Sequence, residues 1–178
     1  MKVGVVRTRL HDVPKAVEKF AKMRALVGIP AGSKGNQRKG ADITNARLGW
    51  IHEKGSETAH IPPRPFLVPG TEEQAPKIAK NLAKAMRHAL RDDLDRAEMT
   101  LEALAMDVAQ GVQEYMEDSS HFMPLNPATV RNRWRKRGVK MPRWAETKEG
   151  MIWGALNRPL IDTAAMQQSI VGVVDKGE

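Results

Sequence analysis

With no cysteine in 178 residues, this chain can build no disulfide framework, no thiolate metal site and no cysteine nucleophile. Apolar residues make up 41% and aromatic ones only 4%, so any core must rest on Ala, Val, Leu, Ile and the ten Met. The 29 basic against 21 acidic residues leave a net charge of +8, which favours polyanions or acidic protein surfaces without choosing between them.

The length fits one domain, 1–178. No run approaches the ~18 consecutive apolar residues of a membrane span, so no membrane contact is expected. The opening MKVGVVRTRLHDVPKAVEKF lacks the pattern of a signal peptide. Val3, Val5 and Val6 form a short β-prone run. From His11 to Met23, Val13, Val17, Phe20 and Ala21 recur at helical spacing, with Asp12 as cap and Pro14 in the first turn. Arg24–Ile29 reads as a strand. Residues 30–42 combine Gly, Ser, Asn, Pro and basic residues without apolar periodicity and predict a mobile loop. That loop is either a solvated turn or an arm that orders on a partner.

Ile43–Lys54 predicts a short helix capped by Asn45 and stopped by Gly55. His60–Gly70 then carries four prolines in eleven residues, which predicts an extended, stiff connector that is neither helix nor central strand. The longest helical region follows. Thr71 to Gln74 has capping-box spacing, while Pro76 favours a start nearer Ala75. Ile78, Leu82, Ala85, Met86, Ala89 and Leu90 make one apolar stripe, and Leu94, Leu101, Leu104, Val108, Val112, Tyr115 and Met116 extend it. Arg91-Asp-Asp93 marks a kink or a break between two helices. Asn126 and Pro127 open a further helix that Gly138 ends. Residues 138–157 predict a loop or insertion. Asp162 caps a short helix to about Gln168, and Ser169–Val174 is a terminal strand.

Little in this pattern points to catalysis. The carboxylates are scattered over helical surfaces, where pairing with Lys or Arg explains them. His52-Glu53 matches the first two positions of a zinc-protease helix, but position 56 is Ser, and His60 lies beyond a break. No phosphate-binding Gly loop or serine elbow is present, so neither cofactor nor metal is expected. A hydrolase built on His52, Glu53 and His60 is the outside alternative. Asn126–Arg143 is more telling: Arg131, Arg133, Arg135, Lys136, Arg137, Lys140 and Arg143 occur there with no acidic residue, and Trp134 is interleaved. Two readings are open. The stretch is a solvated basic face anchored by Val130 and Trp134, or, with Lys34, Arg38 and Lys39 of the 30–42 loop, it contacts DNA or an acidic partner.

Two segments carry a resemblance. Asn45-Ala-Arg-Leu-Gly-Trp-Ile-His-Glu-Lys-Gly55, followed by Ile61-Pro-Pro-Arg-Pro-Phe-Leu67, is the first. The second is Pro124-Leu-Asn-Pro-Ala-Thr129, followed by Arg158-Pro-Leu-Ile-Asp-Thr163 and Gln168-Ser-Ile170. In this order they resemble the minor tail component, or virion morphogenesis, family of tailed bacteriophages, across roughly residues 43–174. Ala164 stands where that family has Gly, and Met166 where Leu is common. The resemblance implies an α+β subunit with a small antiparallel sheet packed on a long helix. It implies a non-enzymatic tail-completion or neck protein of the virion, assembled in the host cytoplasm. Its partners would be further copies in a ring, six being the expectation, the tail terminator, tail tube and head–tail connector, and the DNA in the channel. Arg64, Pro65 and Phe66 would be interface anchors. Asp162 and Thr163 are candidates for the same role, although a helix cap explains them as well.

Overall fold

A computed structural model of the chain describes residues 13–32, 42–143, 158–160 and 164–177. Among the described residues there are seven α-helices and a two-stranded antiparallel sheet, an α+β arrangement in which the sheet packs on the longest helix. The β-prone run at Val3–Val6 and most of the 30–42 and 138–157 loops lie outside the described residues. No described helix is long and apolar enough to cross a membrane. The chain divides into two compact units: Met1–Val27 with Glu73–Ala109 and Val171–Glu178, and Gly28–Glu72 with Gln110–Ile170.

In the first unit, α1 (Val13–Lys22) leads through Met23 into β1 (Arg24–Gly28), as the spacing predicts. Phe20 is buried among Ala85 and Ala89 of α4 (Ala75–Ala89) and Ala97 and Leu101 of α5 (Leu94–Glu117). Met23, Leu94 and Val174 close around that cluster. The expected α4 stripe is therefore only half used. Its two alanines face inward because Phe20 fills the space above them, while Leu82, Met86 and Leu90, offset around the helix, stay exposed. Between α4 and α5 the chain breaks, with Asp92 at φ 60°. Asp93 then caps α5 by accepting from the Arg96 backbone N–H at 3.2 Å.

The second strand, β2 (Val171–Asp175), pairs with β1. It begins two residues later than the apolar run suggests, because the Ser169 hydroxyl donates to Met166 O at 2.6 Å and holds that end in a turn. Gly172 lies directly on α5. A Cβ there would collide with the backbone carbonyl of Ala105, so glycine is what allows strand and helix to approach.

The second unit holds α2 (Asn45–Lys54), α3 (Leu67–Glu73, whose last residue falls in the first unit), the end of α5, α6 (Pro127–Lys136) and α7 (Ala165–Gln168). Several expected boundaries change here. The α2 cap is Thr44, whose Oγ1 accepts from Arg47 N at 3.2 Å. Asn45 is instead buried, and its Nδ2 donates to Ala165 O at 3.3 Å. The connector is extended only to Phe66, and then α3 forms through Pro69 and Gly70. Pro69 is tolerated because it sits in the first turn, where its missing N–H has no helical partner to lose. Thr71 does not open a capping box: inside α3 its hydroxyl donates to Leu67 O at 2.7 Å. Helix α4 then starts at Ala75 without a side-chain cap and with Pro76 in its first turn. The short helix near the C-terminus begins at Ala165, with Ala164 (φ 57°) at the cap position and no side-chain cap bond. Asp162, expected there, lies outside the described residues.

Candidate functional site

The motif residues of the first segment form one local lock. Gly55 ends α2 at φ 77°, with its N–H on Ile51 O at 2.7 Å. A Cβ at that glycine would lie 3.0 Å from Ile61 O and from Pro63 N. Ser56 and Ile61 pair reciprocally at 2.9 Å, folding the chain back along α2. The Arg64 N–H then donates to His52 O at 2.7 Å. The Glu53 carboxylate caps α3: Oε2 accepts from Phe66 N at 2.8 Å and Leu67 N at 3.0 Å, and Oε1 from Val68 N at 3.2 Å. A full negative charge thus meets unpaired amides at a helix N-terminus, where the peptide dipoles favour it.

Arg64 carries the lock to the second segment. Its side chain is 7% exposed, with Nε donating to Met123 O at 3.0 Å and Nη2 to Pro124 O at 3.3 Å. Burial holds its pKa below the usual arginine value. Those carbonyls lead directly to Asn126, whose side chain caps α6 through Ala128 N at 2.9 Å. Phe66 is buried beside Gly49, while Pro65, between Arg64 and Phe66, is exposed. Of the three expected anchors, Arg64 and Phe66 are therefore spent inside their own unit. An apolar cleft of about 280 Å³ lies next to Phe66, bordered by Ile29, Gly49, Trp50 and Val68. Trp50 is 66% exposed, with Lys54 Nζ 5.8 Å from its ring centre.

On α6 the expected cations separate. Val130 is fully buried and Trp134 partly so, as the packing stripe requires. Arg133 is half-buried and donates from Nη1 to Arg158 O at 2.8 Å. Arg131, Arg135 and Lys136 point outward, and none forms an ion pair with a described carboxylate. Arg137 and Lys140, past the helix end, are exposed as well. Lys34, Arg38, Lys39, Asp162 and Thr163 lie outside the described residues.

No protein-family model, curated protein or solved structure matches the chain.

Among the described residues no three His, Asp or Glu side chains gather as a metal site. Glu53, the carboxylate of the outside hydrolase alternative, could act as a base only by giving up three backbone bonds. What the site does is fasten: three stretches of chain are held to one another by a carboxylate and a guanidinium that bond backbone rather than each other. Sequence reasoning missed both tasks, because their partners are backbone groups and leave no residue signature.

Proposed function

We propose that this chain is a structural protein of a tailed-bacteriophage virion, a tail-completion or neck component that assembles as a ring of six and joins tail to head without catalysis. The observation that carries this reading is the meeting of the two resembling segments. Arg64 of the first bonds the carbonyls of Pro124, where the second begins, and of Met123 just before it, and Asn45 bonds Ala165 O just beyond Thr163. Residues about sixty and one hundred and twenty positions apart are thus held together, which supports reading the two segments as parts of one unit. The α+β arrangement, with its sheet on a long helix, is also what the resemblance implies. Exposed Trp50, Val68 and Met123 in one unit, and Leu26, Val171 and Val173 in the other, supply the apolar faces that ring contacts need.

The test is genetic and visual. In a phage carrying this gene, a nonsense mutation should leave filled heads and finished tails unjoined in electron micrographs. A six-membered ring should label at the junction of normal particles. Joined, infectious particles made without the protein would sink the reading.

A further inference from the structure

The outward face of α6 has a composition that neither the lock nor the core explains. Arg131, Arg135 and Lys136 are exposed on it without an ion pair to a described carboxylate, and no acidic residue occurs between Asp118 and Glu146. Arg131 and Arg135 are one helical turn apart, about 6 Å along the axis. The residues beside them, Ala128, Thr129 and Asn132, are small or polar and exposed. Arg137 and Lys140 extend the positive surface beyond the helix end.

We propose that this face is a sequence-independent binding surface for the sugar–phosphate backbone of duplex DNA. Charge alone would suit an acidic protein equally, but the rest of the face decides against one. Protein interfaces are anchored by buried aromatic or large aliphatic side chains, and this helix turns its own, Val130 and Trp134, inward. Phosphate contacts need only Arg, Lys, Asn and Thr, which are the residues displayed. Single-stranded nucleic acid is disfavoured on similar grounds, since its binding relies on aromatic platforms for base stacking and the helix presents none outward. The surface is a property of the isolated chain and does not depend on the virion role.

Fluorescence anisotropy of the full-length protein with a labelled duplex of random sequence tests it, in a salt series from about 50 to 200 mM. Neutralising three to four phosphates predicts a slope of log K against log salt of about −3. The triple variant Arg131→Gln, Arg135→Gln, Lys136→Gln should flatten that slope to about zero to −1 and weaken binding about tenfold or more at low salt. Its circular dichroism should be unchanged, because all three side chains are exposed. The control Lys15→Gln, Lys80→Gln, Lys84→Gln removes the same charge from exposed sites elsewhere and should leave the slope intact. Equal loss in both variants would reduce the effect to net charge and overturn the proposal, as would an unchanged slope in the α6 variant. Polyglutamate competing as well as DNA would transfer the face to an acidic protein, and tighter binding of single strands would overturn the choice of duplex.

Discussion

Glu53 shows how much one side chain can organise. Its carboxylate accepts three successive backbone N–H groups at 2.8–3.2 Å, so it sets where the connector stops and α3 begins. Charge-assisted bonds of this kind exceed neutral ones, and their loss leaves donors unsatisfied at a helix start. Glu53→Ala should therefore cost about 2–3 kcal/mol in urea unfolding, at the upper end of cap losses. Glu53→Gln keeps an acceptor oxygen but loses the charge and should cost about 1 kcal/mol. The order of the two variants is the informative result. Equal small losses, below about 0.5 kcal/mol, would mean that the α3 amides are satisfied as well by water. Arg64 acts by the same logic in reverse, a guanidinium serving carbonyls, and the desolvation of its near-burial lowers its pKa.

At the level of elements, the end of β2 is fastened by two ionic contacts with opposite pH dependence. Asp175 accepts from the Gly177 N–H and from the Arg24 guanidinium, and these hold its carboxyl below the ordinary 3.8. The stability it contributes is present above that ordinary value and is lost as pH falls through its lower, folded one. Lys176 bonds Glu98 of α5 at 2.5 Å, and that contact raises its pKa above 10.5. Its contribution is present below 10.5 and is lost as pH rises through the folded value. The backbone amides of β2 that bond β1 should therefore lose protection below pH 3.8 and above pH 10.5, and less steeply in high salt, since the cations of both pairs, Arg24 and Lys176, are exposed. Asp175→Asn should flatten the acid limb alone; an unchanged acid limb would remove this carboxylate from the account. Asp118, lowered by Ser120 and by His121, adds an acid limb in the other unit, so a residue-resolved readout is needed. Elements whose signals are local were legible in the sequence: the α1–β1 pair, the break before α5, and the Asn126 cap of α6 all rest on residues within four positions of one another. The α3 helix was not legible, because its cap comes from a glutamate thirteen residues upstream and its own composition argues for extension. Half of the α4 stripe misled for a related reason: periodicity finds an apolar face, but which part of it is covered depends on Phe20, more than fifty residues earlier.

For the whole molecule, the decisive contrast is between apolar groups the fold consumes and those it leaves outside. Among the described core positions, alanines such as Ala85, Ala89, Ala97 and Ala105 let helices close on one another beside larger side chains such as Phe20, Leu101 and Met116. Other large apolar groups stand in solvent, and Trp50, 66% exposed beside the cleft at Phe66, is the bulkiest of them among the described residues. The candidate site divides in the same way. Its cations on α6 could be located from sequence, whereas Arg64 and Phe66, chosen as anchors, are internal because contacts distant in sequence enclose them. If copies of this chain form a ring, Trp50 has the size and rigidity of an interface anchor at little cost in conformational freedom. Trp50→Ala should leave thermal unfolding of the dilute protein within about 0.5 kcal/mol of the parent, because an exposed side chain contributes little to its own fold. The same variant should weaken self-association by about 2 kcal/mol, roughly thirtyfold in dissociation constant, measured by sedimentation across a concentration series. Lys54→Ala, which removes only the cation over the ring, should have a much smaller effect on association, since an exposed cation–π contact is worth about 0.5–1 kcal/mol. A parent protein that stays monomeric at every concentration would count against the ring, whereas an assembling parent with an unaffected Trp50→Ala variant would move the contact to the sheet face of Leu26, Val171 and Val173.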